Sequence, residues 1–381
     1  DKDMNEEFLF KKLREREELN ALRQLKLPDE GLVDFYSNDY LGISRKRLLE
    51  EIISSQRNYK YGSTGSRLLS GNYALIEETE ELIARFHQAE SALIFNSGYD
   101  ANLGLLSSVP QRGDTILYDY LSHASIRDGI RLSLAQSYSF RHNDLADLEE
   151  KLKRTQGSVF IVTESLFSMD GDFCPLQDLV SLAEKFQANL IVDEAHATGV
   201  LGEKGEGLVQ MLGLEDRVFA RVHTFGKALG CHGAVILGST ALRNYLINFA
   251  RSLVYSTALP EQAIAHIRAS YELFPGMNAA RKSLSELVDQ FRVFASTQKT
   301  ETGSIPGTRF SRNQAPVQWV MIPGNEEVRK AAAYLQAEGF DLRPILYPTV
   351  PKGQERLRLV LHAFNTKGEL DLLLNCLKNS L

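Results

Sequence analysis

The chain predicts an α/β fold, a mostly parallel sheet covered by helices with a smaller C-terminal α/β unit. Three observations carry this. Short apolar runs alternate with amphipathic stretches between about Ile76 and Ala250. The runs do not alternate polar with apolar, so both faces of their sheet are covered. Over the last third of the 381 residues, long helical stretches come first and shorter strands follow. That length suits two or three domains.

The elements follow in order. Glu6 to Leu25 reads as an amphipathic helix, with Phe8, Leu9, Leu13, Leu19 and Leu22 between charges, ended by Pro28–Gly31. Helical Ile76–His87 leads to a strand at Ala92–Phe95 and a helix opening near Gly98. Strand Thr115–Tyr118 precedes helical His123–Leu134; strand Ser158–Glu164 precedes helix Leu176–Phe186 and strand Asn189–Asp193. Further strands are predicted at Val218–His223 and Ala234–Leu237, with a helix over Thr240–Arg251. Two long helices, Glu261–Phe274 and Asn278–Ser296, precede a polar segment, Thr297–Arg312. The smaller unit then reads as strands at Val317–Ile322, Asp341–Ile345 and Arg356–Leu361, with helices at Glu326–Glu338 and Lys367–Lys378. The expected division is an arm over residues 1–40, a large domain over 41–277 and a small domain over 278–381.

Composition removes several function classes. Lysine plus arginine number 43 against 49 acidic residues, a net charge of −6 with no basic block. A nucleic-acid or anionic-membrane partner held by a global positive field is therefore not expected. Cys174, Cys231 and Cys376 are far apart and lack C-x-x-C spacing, which argues against a disulfide framework or a zinc site and for a reducing cytoplasm. No apolar run approaches the ~18 residues of a membrane span. The densely charged N-terminal stretch does not read as a signal peptide.

Four segments carry chemistry. In IVDEAHATG (191–199), an apolar strand ends in Asp193, with His196 on the following turn. Carboxylates at such strand ends lie where open α/β sheets bind ligands. Taken alone, the segment reads first as a helix-capping Asp beside a surface His. An ATPase DEAH box would need a phosphate loop, G-x-x-x-x-G-K-[ST]. The only Gly-Lys pair after a strand, Gly226-Lys227, has Arg221 at the first glycine and Ala228 at the Ser/Thr position, so that reading fails.

The second segment, VHTFGKALGCHGAV (222–235), places Lys227 just after a strand end, near Thr224 and several glycines. An exposed loop lysine is its plainest reading. Its pairing with Asp193 suggests pyridoxal phosphate, which needs a lysine for its aldehyde and a carboxylate to keep its pyridine nitrogen protonated. Third, FNSGYDAN (95–102) opens a helix at Gly98, whose unpaired N–H groups and positive dipole end suit a phosphate. In the fourth, LSHASIRDG (121–129), His123 follows a strand and starts a helix. A histidine there is usually a cap or packing residue, but it also offers a flat face to stack on a pyridine.

Together these segments make the chain resemble the α-oxoamine synthases, a family of fold-type I pyridoxal phosphate enzymes with an aspartate aminotransferase-like fold. The resemblance runs from about Leu19 to the C-terminus through collinear matches that include FYSNDYLGIS (35–44), YGSTGSRLLSGNY (61–73), VTESLFSMDGD (162–172), VYSTALP (254–260) and YPTVPKGQERLRL (347–359). It implies that Lys227 binds the cofactor's aldehyde, Asp193 pairs with its ring nitrogen and His123 stacks on the ring. By the same resemblance His196 and Ser168 reach the phenolic oxygen. Gly98, Tyr99 and Thr224 hold the phosphate, helped by Ser256 and Thr257 of the second subunit of a homodimer whose active site lies at the interface. Asn38 and Arg358 take the amino-acid carboxylate, and Arg23 and Thr349 touch the acyl thioester. Ala197 and Glu194 depart from the glycine and aspartate common in the family, without removing a functional group.

The implied activity is a decarboxylative Claisen condensation of a small amino acid with an acyl thioester, carried on coenzyme A or an acyl carrier protein. GSRLLSGNY favours alanine with a pimeloyl thioester. Glycine with acetyl- or succinyl-CoA and serine with palmitoyl-CoA are the alternatives within the family. A non-catalytic partner subunit is the alternative outside enzymes; the presence of Lys227, Asp193, His123 and His196 argues against it.

Overall fold

The computed structural model describes residues 5–29, 31–54, 59–298 and 305–381. They fall into two compact units. One comprises residues 38–168 and 172–281; the other joins the N-terminal residues through Ser37, the turn Met169–Gly171 and residues 282–381.

The larger unit is built on seven strands: β1 (Ser91–Phe95), β2 (Thr115–Asp119), β3 (Gln136–Phe140), β4 (Val159–Glu164), β5 (Asn189–Asp193), β6 (Ala220–Thr224) and β7 (Ala234–Gly238). Their order in the sheet is β1-β7-β6-β5-β4-β2-β3. The pairings from β6 through β3 are parallel, and only β7 runs against its neighbours. Strands β4 and β6 are buried at every residue, as expected of strands covered on both faces. Leu105 and Leu106 of helix Gly98–Ser108, Ile126 of Ala124–Leu132 and Leu246 of Thr240–Phe249 pack with Phe95, Ile116 and Val222 of the sheet in one core cluster. Each such side chain contributes roughly 1.5–3 kcal/mol by leaving water.

The smaller unit has a four-stranded antiparallel sheet. Its strands are β8 (Arg309–Phe310), β9 (Val317–Met321), β10 (Arg343–Ile345) and β11 (Arg356–Val360), in the order β10-β11-β9-β8. Helices Asn325–Ala337 and Lys367–Ser380 bury Leu335, Leu370, Leu373 and Leu377. The second begins with a capping box between Thr366 and Glu369. Asp170 accepts an ion pair from Arg356 at 2.7 Å and its carbonyl accepts the Trp319 indole N–H at 3.0 Å, so the 169–171 turn belongs to this unit.

Several sequence expectations need correction. The helix predicted to Leu25 spans only Glu7–Glu18. Asn20 takes φ 51° there, and the Asn20 and Ala21 amides bond back to the Glu17 and Arg16 carbonyls. That left-handed stop closes the helix before its apolar stripe resumes. Strand β3 and helix Leu145–Leu152 lie in a stretch the sequence left unassigned. Strand β3 is a sheet edge with three exposed residues, so it lacks an apolar signature. The single strand expected over Asp341–Ile345 is two: Phe340–Asp341 pairs in parallel with Val33–Asp34, while β10 joins β11. Part of the Thr297–Arg312 segment lies outside the described residues.

Candidate active site

The C-terminal ends of β1, β2, β4, β5 and β6 converge on one cavity of about 280 Å³ within the larger unit. This is the edge at which parallel sheets bind ligands. Asn38, Gly98, Tyr99, His123, Asp193, His196, Thr224 and Lys227 line it. The structure thus brings together most of the expected cofactor residues. Arg23, Thr349 and Arg358 belong to the smaller unit, where Arg23 donates to the Thr349 hydroxyl at 3.2 Å and Arg358 sits on β11 opposite Trp319 and Arg343. Ser168 lies in the turn after β4, outside the cavity lining. Ser256 and Thr257 also lie outside it; the Thr257 carbonyl accepts from Asn96 at 2.7 Å.

Asp193 ends β5 and is only 6% exposed. Its Oδ1 accepts the Ala195 amide at 2.9 Å and its Oδ2 accepts from Asn102 Nδ2 at 2.8 Å. These donors stabilise the carboxylate in a buried setting and leave it able to receive a further donor. Lys227 follows β6, with Nζ 3.4 Å from Thr224 Oγ1. Helix Gly98–Ser108 opens at the cavity, its N-cap Ser97 accepting the Asp100 amide. A Cβ at Gly98 would stand 2.6 Å from Thr224 Cγ2, so glycine is required for the helix end to approach β6.

Sequence reasoning missed four residues of this region. Asn102, one turn beyond Gly98, donates to both Asp193 and Ser125 Oγ. Ser125 Oγ is 2.8 Å from His123 Nδ1. Glu164, buried at the end of β4, accepts the His123 amide at 2.6 Å. Burial and the Asp193 carboxylate push its pKa well above the usual carboxylate range. Buried Tyr40 holds His196, its hydroxyl 2.6 Å from Nδ1, and donates to Asn38 Oδ1 at 3.4 Å. The i, i+4 spacing of Gly98 and Asn102 was one available signal, since it puts both on one helix face. Glu164 ends a strand just as Asp193 does, a signal that was available, whereas Tyr40 follows the polar Ser37–Asp39 stretch and gave none.

Burial lowers the pKa of His123, against the Asp193 carboxylate and together with the Lys227 ammonium. Glu194 accepts the Leu208 and Val209 amides and the Ser165 hydroxyl behind the site. A flat pyridine with a phosphate arm fits this arrangement: a buried anion, an amine and a helix N-terminus surround one space. Among the described residues no group of three or more His, Cys, Asp or Glu is placed to hold a metal ion. No helix among them is long and apolar enough to cross a membrane.

Comparison with known proteins agrees with this geometry. Residues 30–377 match the family model for aminotransferase class I and II. The chain is 42% identical over 385 residues to the 8-amino-7-oxononanoate synthase of Emericella nidulans, covering 95% of this chain and 92% of that one. It is 37% identical to the protein of the same name from Lysinibacillus sphaericus, covering 98% of each. Among solved structures, 8-amino-7-oxononanoate synthase from Francisella tularensis superposes with a TM-score of 0.77 at 28% identity, over 92% of this chain and 98% of that one. Serine palmitoyltransferase from Sphingomonas wittichii gives a TM-score of 0.86 at 25% identity, over 100% and 98%. The chain therefore belongs to the aminotransferase class I and II family, with the fold-type I transferase fold.

Proposed function

We propose that this chain is a pyridoxal phosphate-dependent acyltransferase that condenses L-alanine with a pimeloyl thioester. The products are 8-amino-7-oxononanoate, carbon dioxide and the free thiol, in biotin biosynthesis. One observation carries the reading: Lys227, Asp193 and the Gly98 helix end line a single cavity. The names of relatives at 37–42% identity support the choice of acyl group.

Bound pyridoxal phosphate supplies a protonated pyridine that withdraws electrons from the amino acid's Cα. Asp193 would accept the hydrogen bond of that ring nitrogen, and the Gly98 and Tyr99 amides with Thr224 would receive the phosphate. Lys227 would be the amine that holds the cofactor's aldehyde, and its free amine is the base placed to take the Cα proton. His123 would stack on the cofactor ring and donate toward the thioester carbonyl, while His196, held by Tyr40, and Ser168 would be the donors to its phenolic oxygen. Arg358 offers a guanidinium that matches the planar substrate carboxylate, and Asn38 offers an amide to the same kind of group at the cavity. Arg23 and Thr349 contact the thioester. The working form is a homodimer whose second copy adds Ser256 and Thr257 to the phosphate site. Exposed Phe249 and Tyr255, which rim a hollow of about 760 Å³, support a partner on that face. The three unpaired cysteines support a cytoplasmic setting.

A thiol-release assay crossing alanine, glycine and serine with pimeloyl, acetyl, succinyl and palmitoyl thioesters tests the reading. Alanine with the pimeloyl donor should turn over fastest, and Lys227→Ala should abolish turnover. Faster turnover of glycine with acetyl-CoA would overturn the substrate assignment.

A further inference from the structure

We infer that Asn102 and Ser125 are positioning residues that fix His123 as the neutral imidazole bearing its hydrogen on Nε2, and that tie this state to an ionised Asp193. The inference deepens the proposed function and rests on it for the catalytic consequence.

The donors can be assigned one by one. An ionised Asp193 carboxylate only accepts, so the Asn102 group 2.8 Å from Oδ2 must be its NH₂. The second hydrogen of that NH₂ points to Ser125 Oγ at 3.0 Å. Ser125 Oγ thus accepts from Asn102, and its single hydrogen is available to His123 Nδ1 at 2.8 Å. The Ser125 backbone amide points at the same nitrogen, at 3.2 Å. Nδ1 is therefore the side-chain acceptor that caps helix Ala124–Leu132, a task usually left to Ser, Thr, Asp or Asn. The backbone amide can only donate, so Nδ1 cannot carry a proton without losing that bond, and the Ser125 hydroxyl, already accepting from Asn102, completes the donor set. The ring's hydrogen is left on Nε2, and no bond among the described residues occupies that atom.

Asn102 and Ser125 are 2% and 1% exposed, so water does not compete for these bonds. The consequence is a ring that donates a hydrogen bond into the cavity without having to ionise. A neutral imidazole of this kind polarises a carbonyl oxygen and leaves its proton in place. Asn102 joins this ring to Asp193. If Asp193 were protonated, it would offer a donor where Asn102 now donates, and the chain of bonds would reverse toward His123.

Nitrogen-15 NMR of the native protein labelled at histidine tests this, with the His123 signals assigned by their loss in His123→Gln. With pyridoxal phosphate bound and without it, His123 should be neutral with hydrogen on Nε2 at pH 7. A hydrogen on Nδ1, or a doubly protonated ring, overturns the inference. Ser125→Ala should move the His123 titration upward and lower kcat roughly 10-fold, the loss of about one hydrogen bond, with the amino-acid KM within about 2-fold. Its cofactor absorbance should be unchanged. Asn102→Ala should move both the His123 titration and the pH dependence of the cofactor band, because it alone touches both arms. If Ser125→Ala leaves the titration and kcat alone, or Asn102→Ala moves neither signal, the relay does not exist. A protein that takes up no cofactor would defeat the proposed function instead, and the tautomer would still be read.

Discussion

Two histidines follow neighbouring strands of the same sheet, and the chain treats them in opposite ways. His123, after β2, meets donors at Nδ1 and stays neutral beside the cavity. His142, after the edge strand β3, lies between two carboxylates, 2.9 Å from Asp119 Oδ1 and 2.7 Å from Asp172 Oδ2. Burial opposes charge at His142, but the bonds to Asp119 and Asp172 outweigh it and raise the pKa to about 10. The imidazolium ties the end of β2 to the strand-like return at Phe173, aided by Asn143, which donates to Asp172 and to the Phe173 carbonyl. The same side chain is thus a switchless cation where it serves the fold and a neutral donor where it serves the site. What differs is only the polarity of the groups placed around each ring.

Breaking the His142 side should give the largest effect on stability. Asp119→Ala removes the buried acceptor of His142 and of the Leu121 and Asn143 amides. It should cost about 3 kcal/mol in urea unfolding, because an imidazolium and two amides are left short of partners. His142→Leu should cost about 2 kcal/mol near neutral pH, since Asp119 keeps its two amide donors. That difference from wild type depends on pH in a fixed direction. The folded pKa of about 10 lies above the unfolded 6.5, so the imidazolium's contribution is complete below about pH 6.5 and disappears as pH rises through 10. A gap between the two proteins that persisted unchanged above pH 10 would show that His142 acts by packing on Phe167, not by charge.

The His123 side should give the smallest effect on stability. His123→Asn keeps an acceptor for the Ser125 amide and should change unfolding by no more than about 0.5 kcal/mol. Its turnover should nonetheless fall about 100-fold through loss of the Nε2 donor. Here the pH sign is reversed: the folded pKa is lowered, so wild type should lose stability relative to this variant as pH falls below 6.5.

The sequence by itself determined the order of strands and helices along the core, because unbroken apolar runs and capping residues are local signals. It also marked Lys227, Asp193, His123 and Gly98, each of which stands at a strand end or helix start where few structural roles compete. It did not reveal strand β3, whose exposed edge needs no apolar face, or the stop at Asn20, which depends on one residue's left-handed backbone. Only the tertiary structure decided how the marked residues are wired. Asn102 and Glu164 act through partners distant in the chain, Asp193 and His123, and such pairings arise from the crossing of strand ends. The same holds for the two histidines. A local pattern can place an imidazole after a strand, but its charge is fixed by the donors and acceptors that folding brings to it.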